Sequence, residues 1–129
     1  MIDKSNAIYT KVKNAVSSLC TNTGQSIDDV PSSFPYLDFN QVDNPVYERA
    51  ADFEEIENAV FPLVEIDIYT TGTSKLTNGK KIAKLADEEM LKLGFVRKFG
   101  PQKIDNLQDK SICRLKTRYQ RVFCDGDSL

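Results

Sequence analysis

Residues 61–72, FPLVEIDIYTTG, alternate along the chain: Val64, Ile66 and Ile68 fall on one side, and Leu63, Glu65, Asp67 and Tyr69 on the other. A period of two marks a strand, because successive Cβ atoms leave a pleated chain in opposite directions. The surrounding segment, 59–72, is rich in β-branched residues and gives the strongest strand signal in the sequence. Such a strand cannot stand alone. Its apolar face needs a packed layer, and its other face, with two carboxylates and an aromatic ring, needs water or another molecule.

Other segments supply the layer. Residues 5–20 place Ile8, Val12, Ala15, Val16 and Leu19 three and four apart, the stripe of an amphipathic helix, with Ser5 as N-cap and the turn formers TNTGQ after it. Residues 78–93 predict a second helix with a buried stripe of Ile82, Leu85, Ala86, Met90 and Leu93. Its outer face spaces Lys84, Glu88 and Lys92 four apart, and Gly94 stands where a left-handed C-terminal cap belongs. Residues 34–43 read as extended, with Phe34, Tyr36 and Asp38 on one side and Leu37 and Phe39 on the other. Pro35 lacks an N–H, which suits a strand start or an edge strand. A strand at 95–100, a turn region at 101–110 and a strand at 111–124 follow. The last of these sets Cys113, Leu115, Tyr119 and Phe123 against Arg114, Lys116, Arg118 and Gln120 on the opposite face. Residues 27–33 read as a loop, and the acidic, aperiodic stretch 44–58 as a hairpin arm or irregular loop. The order predicts one α+β domain over residues 1–129, a mostly antiparallel sheet with two helices packed on one face. The other sheet face is left with Glu65, Asp67, Tyr69, Arg114, Lys116 and Arg118.

The chain has 129 residues, 40 % apolar and 28 % charged, which fits a soluble globular domain with one core. No apolar run approaches the roughly 20 residues needed to cross a bilayer, and the start has no basic-then-apolar signal, so a cytoplasmic site of synthesis and residence is expected. There is no histidine, which removes the commonest general base and metal ligand and every Ser–His–Asp or Cys–His nucleophile. Cys20, Cys113 and Cys124 are odd in number and form no CxxC pair. They read as small buried or half-buried thiols rather than a disulfide framework or zinc site. Catalysis by carboxylates or lysine stays open, while the leading expectation is a chain that is not an enzyme and holds no cofactor or metal.

Three stretches hold the remaining chemistry. TTGTSKLTNGK (70–80) has glycines and lysines near a helix start, where an anion can bind, but its spacing matches no nucleotide motif and reads as a polar connection. Glu65 and Asp67, two apart on one face, can serve acid–base work or a divalent cation, or can be solvated or paired at an interface. RLKTRYQR (114–121) suggests a nucleic-acid-binding sheet, yet Tyr119 falls opposite the three cations, and a stacking platform needs both on one side. Residues 1–64 hold ten acidic and four basic side chains, and residues 65–129 nine acidic and thirteen basic. Either the fold mixes these halves in space, or the asymmetry survives as unlike surfaces.

The succession FPYLDF, FPLVEIDIYTTG, LADEEMLKLGFVR and CRLKTRYQRVF, with its Arg118–Tyr119 pair, resembles the tail terminator (tail completion, or head–tail joining) proteins of tailed bacteriophages, prophages and phage-tail-like particles. The resemblance spans roughly residues 5 to 123 and rests on order and spacing. It implies a small α+β subunit of a homohexameric ring that caps the tail tube and ends its polymerisation. The implied partners are sister copies, the tail tube protein, a sheath and the head connector. Neither a membrane nor a specific nucleic acid is among them, although DNA can pass through the ring. The implied location is the virion tail, assembled in the bacterial cytoplasm. No catalytic residues carry over. Glu65, Asp67, Tyr69, Arg114, Lys116 and Arg118 then become candidates for the subunit seam or the lumen, and charge reversal at Arg118 is expected to weaken the ring. The second expectation, from another class, is a small nucleic-acid-binding module using the basic face of the last strand.

Overall fold

β4 (Leu63–Thr70) lies at the centre of the sheet, which explains why its sequence pattern is so clear. The computed structural model describes residues 1–47, 59–105, 107–124 and 126–129. Around β4 stand α1 (Ser5–Val16), β1 (Asn22–Gln25), β2 (Tyr36–Asp43), β3 (Ala59–Val60), α2 (Lys75–Lys92), β5 (Val96–Lys103), β6 (Cys113–Gln120) and β7 (Phe123–Cys124). The main sheet runs β1-β2-β4-β6-β5, and β3 pairs with β7 in a small second sheet. Among the described residues, only β1 and β2 are parallel; the other strand pairs are antiparallel. The fold is α+β.

The core follows from register. Ile66 pairs with Phe39 on one side and Thr117 on the other, and Ile68 with Leu37 and Leu115. Cross-strand partners share a face, so these side chains form one apolar surface. Ile8, Val12 and Val16 of α1 and Ile82, Ala83, Ala86 and Met90 of α2 join the same buried cluster. Each large apolar side chain buried this way contributes about 1.5–3 kcal/mol.

Several boundaries differ from the sequence reading, each for a physical reason. α1 stops at Val16, and Leu19 is 46 % exposed rather than part of the stripe. Ser5 is the first helical residue, not the cap; its N–H is held by the Asp3 carboxylate at 2.9 Å. The stretch read as a turn, TNTGQ, contains β1, which pairs outside β2, so β2 is not an edge. The single strand expected over 59–72 is two, broken at Phe61–Pro62, and that over 111–124 also splits into β6 and β7. α2 begins at Lys75, within the expected loop. β5 runs through Gly100–Pro101 to Lys103, into the expected turn. Of the stretch 44–58, Val46 bridges Val60 and Tyr47 donates to the Ala59 carbonyl at 2.9 Å; residues 48–58 lie outside the described residues.

Two glycines hold the α2–β5–β6 corner. At the end of α2, Phe95 donates to the Met90 carbonyl and Gly94 to that of Leu91, both at 3.0 Å. That is a Schellman cap with Gly94 at φ +85, as the sequence predicts. Gly100, at φ +77, sits where β5 bulges out of register with β6, and a Cβ there would collide with the Lys116 carbonyl. Gly94→Ala is expected to cost about 1 kcal/mol. Gly100→Ala is expected to cost more, about 2–3 kcal/mol, since a fixed backbone carbonyl must also move. Urea unfolding of the two variants checks the order.

Candidate functional site

The face of β4 turned away from the helices brings all six candidate residues together. β4 pairs with β6 so that Glu65 stands opposite Arg118, Asp67 opposite Lys116 and Tyr69 opposite Arg114. On the other side of β4, the partners are Asn40, Asp38 and Tyr36 of β2. An acidic central strand is therefore flanked by a basic one.

The ion pairs run partly along the diagonal. Arg118 Nε donates to Glu65 Oε1 at 2.7 Å, and Lys116 Nζ to Glu65 Oε2 at 3.2 Å. Arg114 Nε donates to Asp67 Oδ1 at 3.1 Å. Both oxygens of Glu65 are thus engaged within its own chain. Glu65 is 8 % and Asp67 4 % exposed. The side chains beside them exclude water from this face. Arg114 lies over the Tyr69 ring, 5.7 Å from its centroid, and Arg118 over Phe99 of β5 at 5.3 Å. Arg118 keeps a side-chain exposure of 43 % and is the outermost of the three cations.

Asp38 completes the ladder as a third buried carboxylate. It accepts the Ile27 N–H at 3.2 Å and stands directly opposite Asp67. Burial pushes its carboxyl above the usual range, and the Asp67 charge adds to this. Burial likewise raises the Tyr69 phenol. Burial alone would lower the Arg114 guanidinium, but the hydrogen bond and charge of Asp67 outweigh it and raise it.

Sequence reasoning placed Asp38 correctly on this side of β2 but did not single it out. It missed Phe99, whose strand it cut short. The only signal for either was two-residue alternation, and the β5 bulge interrupts that. The other candidate stretches become structural. Lys75 of the 70–80 stretch donates to the Lys110 carbonyl at 2.9 Å, and Thr70 to the Lys75 carbonyl at 2.6 Å. Tyr119 lies on the helix side, where its hydroxyl donates to Asp87 at 2.8 Å. Among the described residues no group of three or more Cys, Asp or Glu is arranged to hold a metal ion, and no helix is long and apolar enough to cross a membrane. The chain matches no protein-family model and no curated protein.

Two outcomes follow from the ladder. Glu65→Ala strands two cations and is expected to cost about 3 kcal/mol, whereas Arg118→Ala, at the half-exposed end, is expected to cost under about 1 kcal/mol; chemical denaturation separates them. For Asp38, folding raises the pKa, so the folded state binds a proton more readily and stability falls as pH climbs from 3.8 through the folded value. Asp38→Asn keeps an acceptor for Ile27 and removes that loss. It is expected to match or exceed the parent at pH 7 and to lose its advantage below the unfolded value, read as melting temperature against pH.

Proposed function

We propose that this chain is a structural subunit of a tail terminator ring, which caps the tube of a phage tail or tail-like particle and joins it to the head or neck. Alongside the sequence resemblance, one structural observation carries the reading. Within the main sheet, the strand order sets β1 and β2 of the first half on one side and β6 and β5 of the second half on the other. β2 and the loop before it carry Asp28, Asp29, Asp38 and Asp43 and no cation. β6 and β5 carry Arg114, Lys116, Arg118, Arg97, Lys98 and Lys103 and no carboxylate. The subunit therefore grades from acidic to basic across its sheet.

Unlike surfaces on one subunit favour heterologous contacts, in which each copy shows one flank to the left neighbour and another to the right, and such contacts close into a ring when the rotation fits. Opposed like charges disfavour back-to-back dimers. The ladder also refines the role of the six candidate residues. Arg118 already serves Glu65 within the chain, so its reversal attacks the sheet before any seam. The surface cations of β5 and α2 are the better seam candidates. The same ion pairs weigh against the nucleic-acid reading, since the β6 cations already hold carboxylates that compete with phosphate.

Native mass spectrometry tests the reading: a species near about six chains, free or formed on tail tubes, and one that dissociates as salt is raised, is expected. A single chain under all these conditions, with a salt-dependent shift on DNA or RNA, would replace the ring with a nucleic-acid module.

A further inference from the structure

A groove of about 280 Å³ lies between α2 and β5. Lys80, Ala83, Lys84 and Asp87 line it from one face of the helix, and Arg97 and Pro101 line it from the strand. Arg97 stands opposite Tyr119 in the β5–β6 pairing, which puts it on the helix side of the sheet. The carboxylate in this lining is already engaged: Asp87 accepts the Tyr119 hydroxyl at 2.8 Å and holds Arg97 at 3.4 Å. Lys80 and Lys84 are exposed and make no ion pair among the described residues. Ala83, itself buried, gives the groove an apolar floor beside them.

The opposite edge of the same sheet presents the complement. The loop between β1 and β2 carries Asp28, Asp29 and Val30 in succession, all exposed, Val30 by 46 %. Neither aspartate makes an ion pair among the described residues. An exposed valine beside two such carboxylates matches an apolar floor beside two lysines. We propose that the 28–30 tip of one copy docks in the α2–β5 groove of the next, with Val30 on Ala83 and Pro101 and the aspartates against Lys80 and Lys84; the inference rests on the ring reading above and names its contact.

Geometry selects a second copy over the same one. β1 and β5 are the two edges of the five-stranded sheet, about 19 Å apart at roughly 4.8 Å per spacing. Ile27 is fixed at the β1 edge, because its N–H is held by the Asp38 carboxylate at 3.2 Å. From there to Val30 the chain reaches about 10–11 Å even when fully extended. The sheet also stands between the two surfaces. Asp38 belongs to the face turned away from the helices, while the groove lies on the helix side. A tip thus cannot enter its own groove. A contact between two different surfaces is heterologous, as a ring requires, and unlike charges on them set its register.

The test couples carboxylates to lysines with a zero-length carbodiimide in an equal mixture of isotopically light and heavy full-length chains. The expected product joins Asp28 or Asp29 of one isotope to Lys80 or Lys84 of the other. Charge reversal supplies the second arm. Asp28→Lys with Asp29→Lys reverses the tip, and Lys80→Glu with Lys84→Glu reverses the groove. Either pair alone opposes like charges and is expected to weaken self-association, read by sedimentation, about tenfold or more. An equal mixture of the two variant chains is expected to recover it, because each tip then meets a groove of opposite sign on the other chain. All four positions are exposed; should a reversal lose its melting transition, the links in the unaltered chain decide. Links from these lysines confined to one isotope, copies linked only elsewhere, a variant pair that associates like the parent, or a mixture that associates no better than its components would each overturn the groove assignment while leaving the ring reading intact. A parent that stays a single chain at its solubility limit and on isolated tail tubes overturns both.

Discussion

Two carboxylates on the central strand of a sheet, 8 % and 4 % exposed, make the pairing of β4 with β6 the constraint on which this fold depends. Burying a carboxylate costs several kcal/mol unless charge and hydrogen bonds replace its water. Here Arg118 and Lys116 supply both oxygens of Glu65, and Arg114 supplies Asp67. The exchange also fixes alignment. Sliding β6 by one residue would point Arg114, Lys116 and Arg118 into the apolar cluster and Leu115 and Tyr119 out of it. The ladder contributes less to raw stability than to excluding that alternative, because a matched ion pair roughly recovers its desolvation cost while a mismatched one does not.

With the register set, the helix side follows. β4 presents Val64, Ile66 and Ile68 between Leu37 and Phe39 on one strand and Leu115 and Tyr119 on the other, and both helices close over that surface. Tyr119 ties the layers together: its ring is buried, and its hydroxyl reaches Asp87 of α2, which also holds Arg97 of β5 at 3.4 Å. At the far corner, Arg121 lies 3.8 Å from the Phe123 ring centroid and donates to the Leu93 carbonyl. A helix end and the small sheet are thereby fastened by one side chain.

What the sequence revealed was whatever a local period encodes. β4, β6 and α2 are long, alternate or recur cleanly, and end on interpretable residues such as Gly94, so the class, the helix layer and the charged face were all legible. β1 was not, because Asn22–Gln25 has no apolar alternation and owes its strand state to a parallel partner fourteen residues further along the chain. β5 was cut short because Gly100–Pro101 reads as a turn, whereas the strand bulges there and continues. The six residues were grouped correctly, but their role was not legible. Whether carboxylate and cation meet within one sheet or across two molecules depends on which strands are neighbours, and only the topology decides that.

That topology also bears on how copies can meet. Backbone pairing at the β5 edge is discouraged. The strand is bulged, Pro101 lacks an N–H, and Arg97, Lys98 and Lys103 line it, features that keep exposed edges from recruiting further strands. A contact made at this edge would then use side chains rather than strand addition. Arg114, Lys116 and Arg118 already hold Glu65 and Asp67, whereas β5 and α2 carry further surface cations, and β2 with the loop before it carries Asp28, Asp29 and Asp43. A subunit built this way has a direction. In the proposed ring, each contact would leave an acidic surface on one side and a basic one on the other, so that closure, or a different partner, ends the series.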